Sequence, residues 1–155
     1  DYRGDFELTG SPFPAHHYVH TGVPHLVIPV EDVELVDLAT WGPRIRSHPS
    51  LGAEGANVDW VATRPEAGGF RLRTYERGVE DETFACGTGA AAAAVVLCQL
   101  GLTGSPVPLL TQGGDRLVVS LDPHAADHEL SLLGPAVVAF SGEIELSVLN
   151  CVPSP

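Results

Sequence analysis

The chain has 155 residues, enough for one domain with a single core, and its 44% hydrophobic and 18% charged content is that of an ordinary globular protein. A formal net charge of −12, with eight basic residues scattered along its length, argues against binding to nucleic-acid phosphates. No apolar run approaches the roughly 20 residues that cross a bilayer and no signal peptide is evident, so neither nucleic acid nor membrane is expected as a partner.

Asp1 to Ala15 is rich in Gly and Pro and reads as an extended lead-in. His16–His20 alternates like a strand, Thr21-Gly22-Val23-Pro24 is a turn, and His25–Val30 is a second short strand. His16, His17 and His20 crowd together, but no cysteine or carboxylate interleaves at ligand spacing, so no metal is assigned. Glu31, Asp32 and Glu34 open a helical pattern carried by Leu35, Leu38, Ala39, Gly42 and Ile45. Residues 34–47 are therefore predicted as an amphipathic helix on the outside of the sheet, bent or divided at Pro43. Asn57–Ala62 reads as a strand, Arg64–Gly69 as a hairpin loop, and Phe70–Tyr75 as the next strand.

The most informative stretch follows. Cys86-Gly87-Thr88-Gly89 leads into five alanines, Ala90 to Ala94, then Val95, Val96 and Leu97, and Gly101 closes the run. Alanine favours helix and Gly just past the end is a stop signal. No charge occurs between Cys86 and Leu100, so this helix is predicted to be buried. Cys86 stands at its mouth, where unpaired amides and the helix dipole should make a thiol ionise more readily. A free cysteine is often just a small buried hydrophobe. Gly87 and Gly89, which let a ligand approach the backbone, and the upstream pair Glu76 and Arg77 favour a chemical role instead. The cysteines number three, with no C-x-x-C spacing, which fits a reducing cytoplasm. Cys98 is expected in the core, and Cys151 lies in a Pro-rich tail.

Beyond the helix, Pro106–Thr111, Arg116–Leu121, Glu129–Leu133, Ala136–Phe140 and Glu143–Val148 are short runs, with turns at Gly113-Gly114-Asp115 and Ser141-Gly142. Their spacing predicts an antiparallel meander rather than βαβ units. The fold class read from these elements is α+β, a curved, mainly antiparallel sheet wrapped around one buried apolar helix.

Tyr75-Glu76-Arg77-Gly78 followed by Ala85-Cys86-Gly87-Thr88-Gly89-Ala90 resembles the signature of the second half of the diaminopimelate epimerase family, and the likeness runs from about Tyr18 to Leu146. That family is cofactor-independent and inverts one α-carbon of diaminopimelate with two cysteines, one from each of two similar halves. The resemblance implies that Cys86 is one of the pair, that His25 and Glu76 support proton transfer, and that Asn57 lies in the substrate pocket. It implies further that Arg77 grips the distal carboxylate, while the Gly87 and Thr88 amides hold the α-carboxylate. Val23 stands where many members carry an asparagine that holds the distal end of the substrate.

On this reading the chain is a single C-terminal domain, residues 1–155, of a two-domain cytoplasmic enzyme of lysine biosynthesis, usually dimeric. Residues 143–148 are a candidate strand for the other half. The absence of methionine is most simply expected of a fragment, a processed chain or a trimmed one. Inversion needs a group on each face, so the chain alone is expected to be inactive. No lysine is present for a Schiff base and no cofactor is implied. Two alternatives remain: a racemase half for a different amino acid, and a non-catalytic amino-acid-binding domain.

Overall fold

The computed structural model describes residues 1–122 and 129–145. Among them are nine strands: β1 (Tyr2–Arg3), β2 (His17–His20), β3 (Pro24–Val30), β4 (Asn57–Ala62), β5 (Phe70–Glu76), β6 (Asp81–Thr83), β7 (Val107–Leu110), β8 (Arg116–Leu121) and β9 (Leu130–Leu133). Two α-helices accompany them, α1 (Leu38–Arg46) and α2 (Gly87–Gln99). The sheet order is β1-β2-β3-β4-β5-β7-β8-β9, with β6 paired to β5.

Six of the eight described pairings are antiparallel, as expected, but β3–β4 and β5–β7 are parallel. This departs from a simple meander for a geometric reason. A chain that re-enters a sheet in the same direction needs a long crossover, and α1 and α2 supply one each. The helices take opposite faces. Leu26, Ile28, Val58, Trp60 and Tyr75 pack with Leu38 and Ile45 of α1, whereas Val27, Val61, Phe70 and Leu72 pack with the alanines of α2. Alternation along each strand thus feeds two cores.

Helix α2 touches β2 to β5 and β7 to β9. Seven flat strands would spread over about 30 Å, far wider than a helix of about 10 Å, so the sheet curls around it. Ala90, Ala92, Ala93, Ala94, Val96 and Leu97 are buried, as the uncharged run predicts. The helix ends in a Schellman motif: Leu102 N–H donates to Leu97 O (3.0 Å) and Gly101 N–H to Cys98 O (3.0 Å), with Gly101 at φ +68°. Cys98 is half-buried and packs against this core.

The predicted helix at 34–47 is shorter and divided elsewhere. Val33–Leu35 forms a 3-10 turn capped by Asp32, Val36 is extended, and Asp37 caps α1 by accepting from Thr40 N–H (3.1 Å). Two aspartates restart the chain as N-caps, so the break falls before Pro43, which α1 accommodates. The lead-in is more ordered than its composition implies. Tyr2–Arg3 pairs with β2, and Tyr2 and His17 stack and share a hydrogen bond (3.1 Å). His16 bonds Ser11 (2.7 Å). The expected run Ala136–Phe140 is irregular, and Val137, Val138 and Phe140 are each nearly 90% exposed. Apolar composition there lacks a surface to pack on among the described residues. Of Glu143–Val148 only residues 143–145 are described, irregular and exposed; the remainder and Cys151 lie outside the described residues. No described helix is long and apolar enough to cross a membrane.

Candidate active site

The site forms where three strands end under the mouth of α2. His25, second in β3, and Asn57, first in the parallel strand β4, are paired in register, while Glu76 ends β5, antiparallel to β4. Alternation puts His25 on the same face as Val27, Asn57 and Asp59 on that of Val61, and Thr74 and Glu76 on that of Leu72. This is the α2 face. A face that is apolar along most of its length becomes polar at one edge, and α2 starts over that edge.

Cys86 is the N-cap of α2. Its sulfur accepts from Gly89 N–H (3.4 Å) and lies 3.5 Å from the Thr88 hydroxyl. Ala90 N–H bonds Cys86 O (2.9 Å), so the third and fourth amides of the turn are used. The Gly87 and Thr88 amides find no acceptor among the described residues. The loop before β3 braces this turn through Thr21 Oγ1, which donates to Thr88 O (3.0 Å).

Expectation and structure part on the acidity of Cys86. The thiol is only 8% exposed, and burial pushes its pKa up. The Asp59 carboxylate adds to the rise and Glu76 contributes a little more, while the Thr88 and Gly89 hydrogen bonds pull the other way. The net direction is upward. Desolvation of the anion and two nearby negative charges outweigh the two hydrogen bonds at the helix mouth, which favours the thiol form of Cys86.

The remaining predicted residues fall close by. Asn57 Oδ1 accepts from Arg77 N–H (2.8 Å), and its Nδ2 donates to Pro24 O (3.3 Å) and sits 3.5 Å from His25 Nε2. The Arg77 side chain is not free: its Nη1 donates to Glu54 (3.1 Å), an exposed carboxylate that faces the group expected to hold a substrate carboxylate. The Glu76 carboxylate makes no hydrogen bond to the described residues, yet its charge falls on Cys86. His25 makes no bond to Cys86. It is fully buried and paired through Nδ1 to Asp59 Oδ2 at 2.7 Å.

Asp59 and Thr74 belong to this site and were not singled out from the sequence. Thr74 Oγ1 donates to Asp59 Oδ1 (2.7 Å), and Asp59 lies directly beneath Gly89, one turn from Cys86. The signal available was the i, i+2 spacing of Asn57 and Asp59 on one strand face, which reads equally as a solvated edge.

The chain matches the family model described as diaminopimelate epimerase over residues 17–138. It is 48% identical over 131 residues to diaminopimelate epimerase of Gemmatimonas aurantiaca, covering 79% of this chain and 47% of that protein. With diaminopimelate epimerase of Aquifex aeolicus it shares 43% over 134 residues, 86% of this chain and 47% of the relative. The chain thus spans about half the length of these relatives. A PhzF-family phenazine biosynthesis protein from Bacillus anthracis superposes with a TM-score of 0.51 at 19% identity, covering 84% of this chain and 37% of that one, a likeness of fold alone. With Cys86 capping the helix and Glu76 within electrostatic reach of it, a family match across 122 of the 155 residues is decisive: the chain belongs to the diaminopimelate epimerase family.

Proposed function

We propose that this chain is the C-terminal half of a cofactor-independent epimerase that interconverts LL- and meso-diaminopimelate. Cys86 is one of two cysteines that face the substrate α-carbon, and a second, similar half carries the other. The substrate α-carboxylate docks on the open Gly87 and Thr88 amides at the positive end of α2, which lowers the cost of a carbanion next to it. The opposing thiolate removes the α-proton as the C–H bond breaks, and the Cys86 S–H delivers its proton to the other face of the carbanion. Glu76, unpaired among the described residues and within electrostatic reach of Cys86, and His25 support proton transfer at the thiols. Arg77 exchanges Glu54 for the distal carboxylate, its planar fork being suited to either. The two halves form a dimerising enzyme.

The observation that carries this reading is the mouth of α2: a capping thiol, two amides without acceptors among the described residues, and the Glu76 carboxylate, unpaired among them, within electrostatic reach. An electrophilic diaminopimelate analogue tests it. Alkylation is expected at Cys86 in preference to Cys98, blocked by diaminopimelate, while the chain alone turns over no LL-diaminopimelate. Alkylation of both thiols at equal rates without protection would refute the site, and robust turnover by the chain alone would refute the two-half mechanism. The binding-domain reading has one observation in its favour, the upward push on the Cys86 thiol, and predicts protection by ligand with no covalent reaction.

A further inference from the structure

Behind the cysteine runs a buried polar line that the family signature does not include. Four of the seven polar side chains buried among the described residues, His25, Asn57, Asp59 and Thr74, are joined in it. Its direction is set from one end. Arg77 N–H can only donate, so the Asn57 atom it meets at 2.8 Å is Oδ1, and Asn57 Nδ2 is the atom 3.5 Å from His25 Nε2. An amide nitrogen donates, so Nε2 accepts and the ring proton sits on Nδ1. At the other side Asp59 Oδ2 receives that proton's hydrogen bond at 2.7 Å, and Thr74 donates to Oδ1 at 2.7 Å. Both His25 and Asp59 are fully buried. The carboxylate is compensated by these two donors and by the N-terminal turn of α2, packed against it at Gly89.

We propose that Asp59 is a positioning residue for His25: its carboxylate, anchored by Thr74, holds the imidazole proton on Nδ1 and leaves Nε2, on the Asn57 side, as the proton-accepting atom. The register explains the arrangement. His25 and Asn57 are partners in β3–β4, Asp59 lies two residues along β4, and Thr74 is the partner of Asp59 in β4–β5. A three-strand polar patch under a helix mouth fixes a ring that has no solvent contact to orient it. The kinetic meaning of this rests on the epimerase reading above; the tautomer itself does not.

The test is the nitrogen NMR spectrum of the His25 ring in this chain, identified by its loss in His25→Gln and recorded at a pH where the ring is neutral. The wild type is expected to carry the proton on Nδ1. In Asp59→Asn the Thr74 hydroxyl retains the amide oxygen, the amide nitrogen turns to Nδ1, and the proton is expected to move to Nε2. Asp59→Ala removes the acceptor and leaves only the longer 3.5 Å Asn57 contact to bias the ring, so the Nδ1–H form is expected to lose population to Nε2–H. A wild-type Nε2–H tautomer, or Nδ1–H retained in both variants, overturns the proposal. Peptide-mapped iodoacetamide labelling of Cys98 monitors folding, and if both variants expose Cys98 the wild-type spectrum decides alone. A wild-type Nδ1–H tautomer in a protein whose Cys86 proves unreactive would sink the epimerase reading and leave this inference standing.

Discussion

Replacing Gly89 by alanine sets two magnitudes against each other. In the interior of an exposed helix the exchange would stabilise by about 0.8–1 kcal/mol, because alanine restricts the unfolded chain. Here a Cβ would lie 2.4 Å from Asp59 Oδ1 and 3.3 Å from Cys86 Cβ. The first distance is about 0.6 Å short of 3.0 Å, the closest approach real Cβ atoms make. The carboxylate cannot give way freely, since His25 and Thr74 each hold it at 2.7 Å. Overpacking costs typically 1–3 kcal/mol, and weakening one buried hydrogen bond to a charged group about 1.5–3 kcal/mol more. After the propensity gain is subtracted, Gly89→Ala is expected to destabilise by about 1.5–5 kcal/mol, which is a fall in Tm of roughly 3–20 °C for a domain of this size. Gly87→Ala is the control, because its Cβ would meet only the mobile end of Leu132 at 3.1 Å. Urea and thermal unfolding of both variants make the comparison. If Gly89→Ala is neutral or stabilising, or if the two variants lose equal stability, the reasoning about the pinned carboxylate is wrong.

Gly42→Ala is expected to be harmful for a similar reason on the other face of the sheet. Its Cβ would fall 2.2 Å from the Tyr75 ring, which is tied by its hydroxyl to Glu80 O (2.6 Å), and chemical denaturation should register a loss of about 1–3 kcal/mol. Arg73 holds both Glu82 oxygens (2.7 and 2.8 Å) and the Val33 and Val36 carbonyls (2.8 and 3.2 Å). Lysine cannot reproduce that fork, so Arg73→Lys should cost about 1–3 kcal/mol in the same measurement, and a silent substitution would count against the clamp. For Cys86, iodoacetamide rates plotted against pH should show a midpoint above the ordinary thiol value of 9.0, because burial favours the neutral form. The linked stability is full below 9.0 and is lost as pH rises through the folded value, so Cys86→Ala should flatten the alkaline limb of stability against pH. A midpoint near neutrality would show that the helix mouth dominates after all.

Much of the architecture was legible because it rests on local rules. The alanine run with Gly101 beyond it forms the buried helix, and the turn expected at Thr21–Pro24, which spans 21–23 with Pro24 already in β3, and the loop at Arg64–Gly69 separate the strands. What local rules miss is which neighbour a segment meets. The parallel pairs depend on where α1 and α2 carry the chain, and Ala136–Phe140, strand-like in composition, has no partner among the described residues. The site residues divide likewise. Cys86, Gly87, Thr88, Glu76 and Arg77 announce themselves as a run, whereas Asp59 looks like any polar strand residue until α2 closes over it.

The sequence by itself determined the buried helix, most of the strands, the capping thiol and the family, since periodicity, propensity and a contiguous motif are properties of neighbours along the chain. Only the tertiary structure decided the upward push on the Cys86 thiol, the engagement of Arg77 by Glu54 and the pairing of His25 with Asp59. Those depend on burial and on distances across strands. Desolvation and Coulomb energy are set by what surrounds a group in space, and no spacing along the chain encodes it.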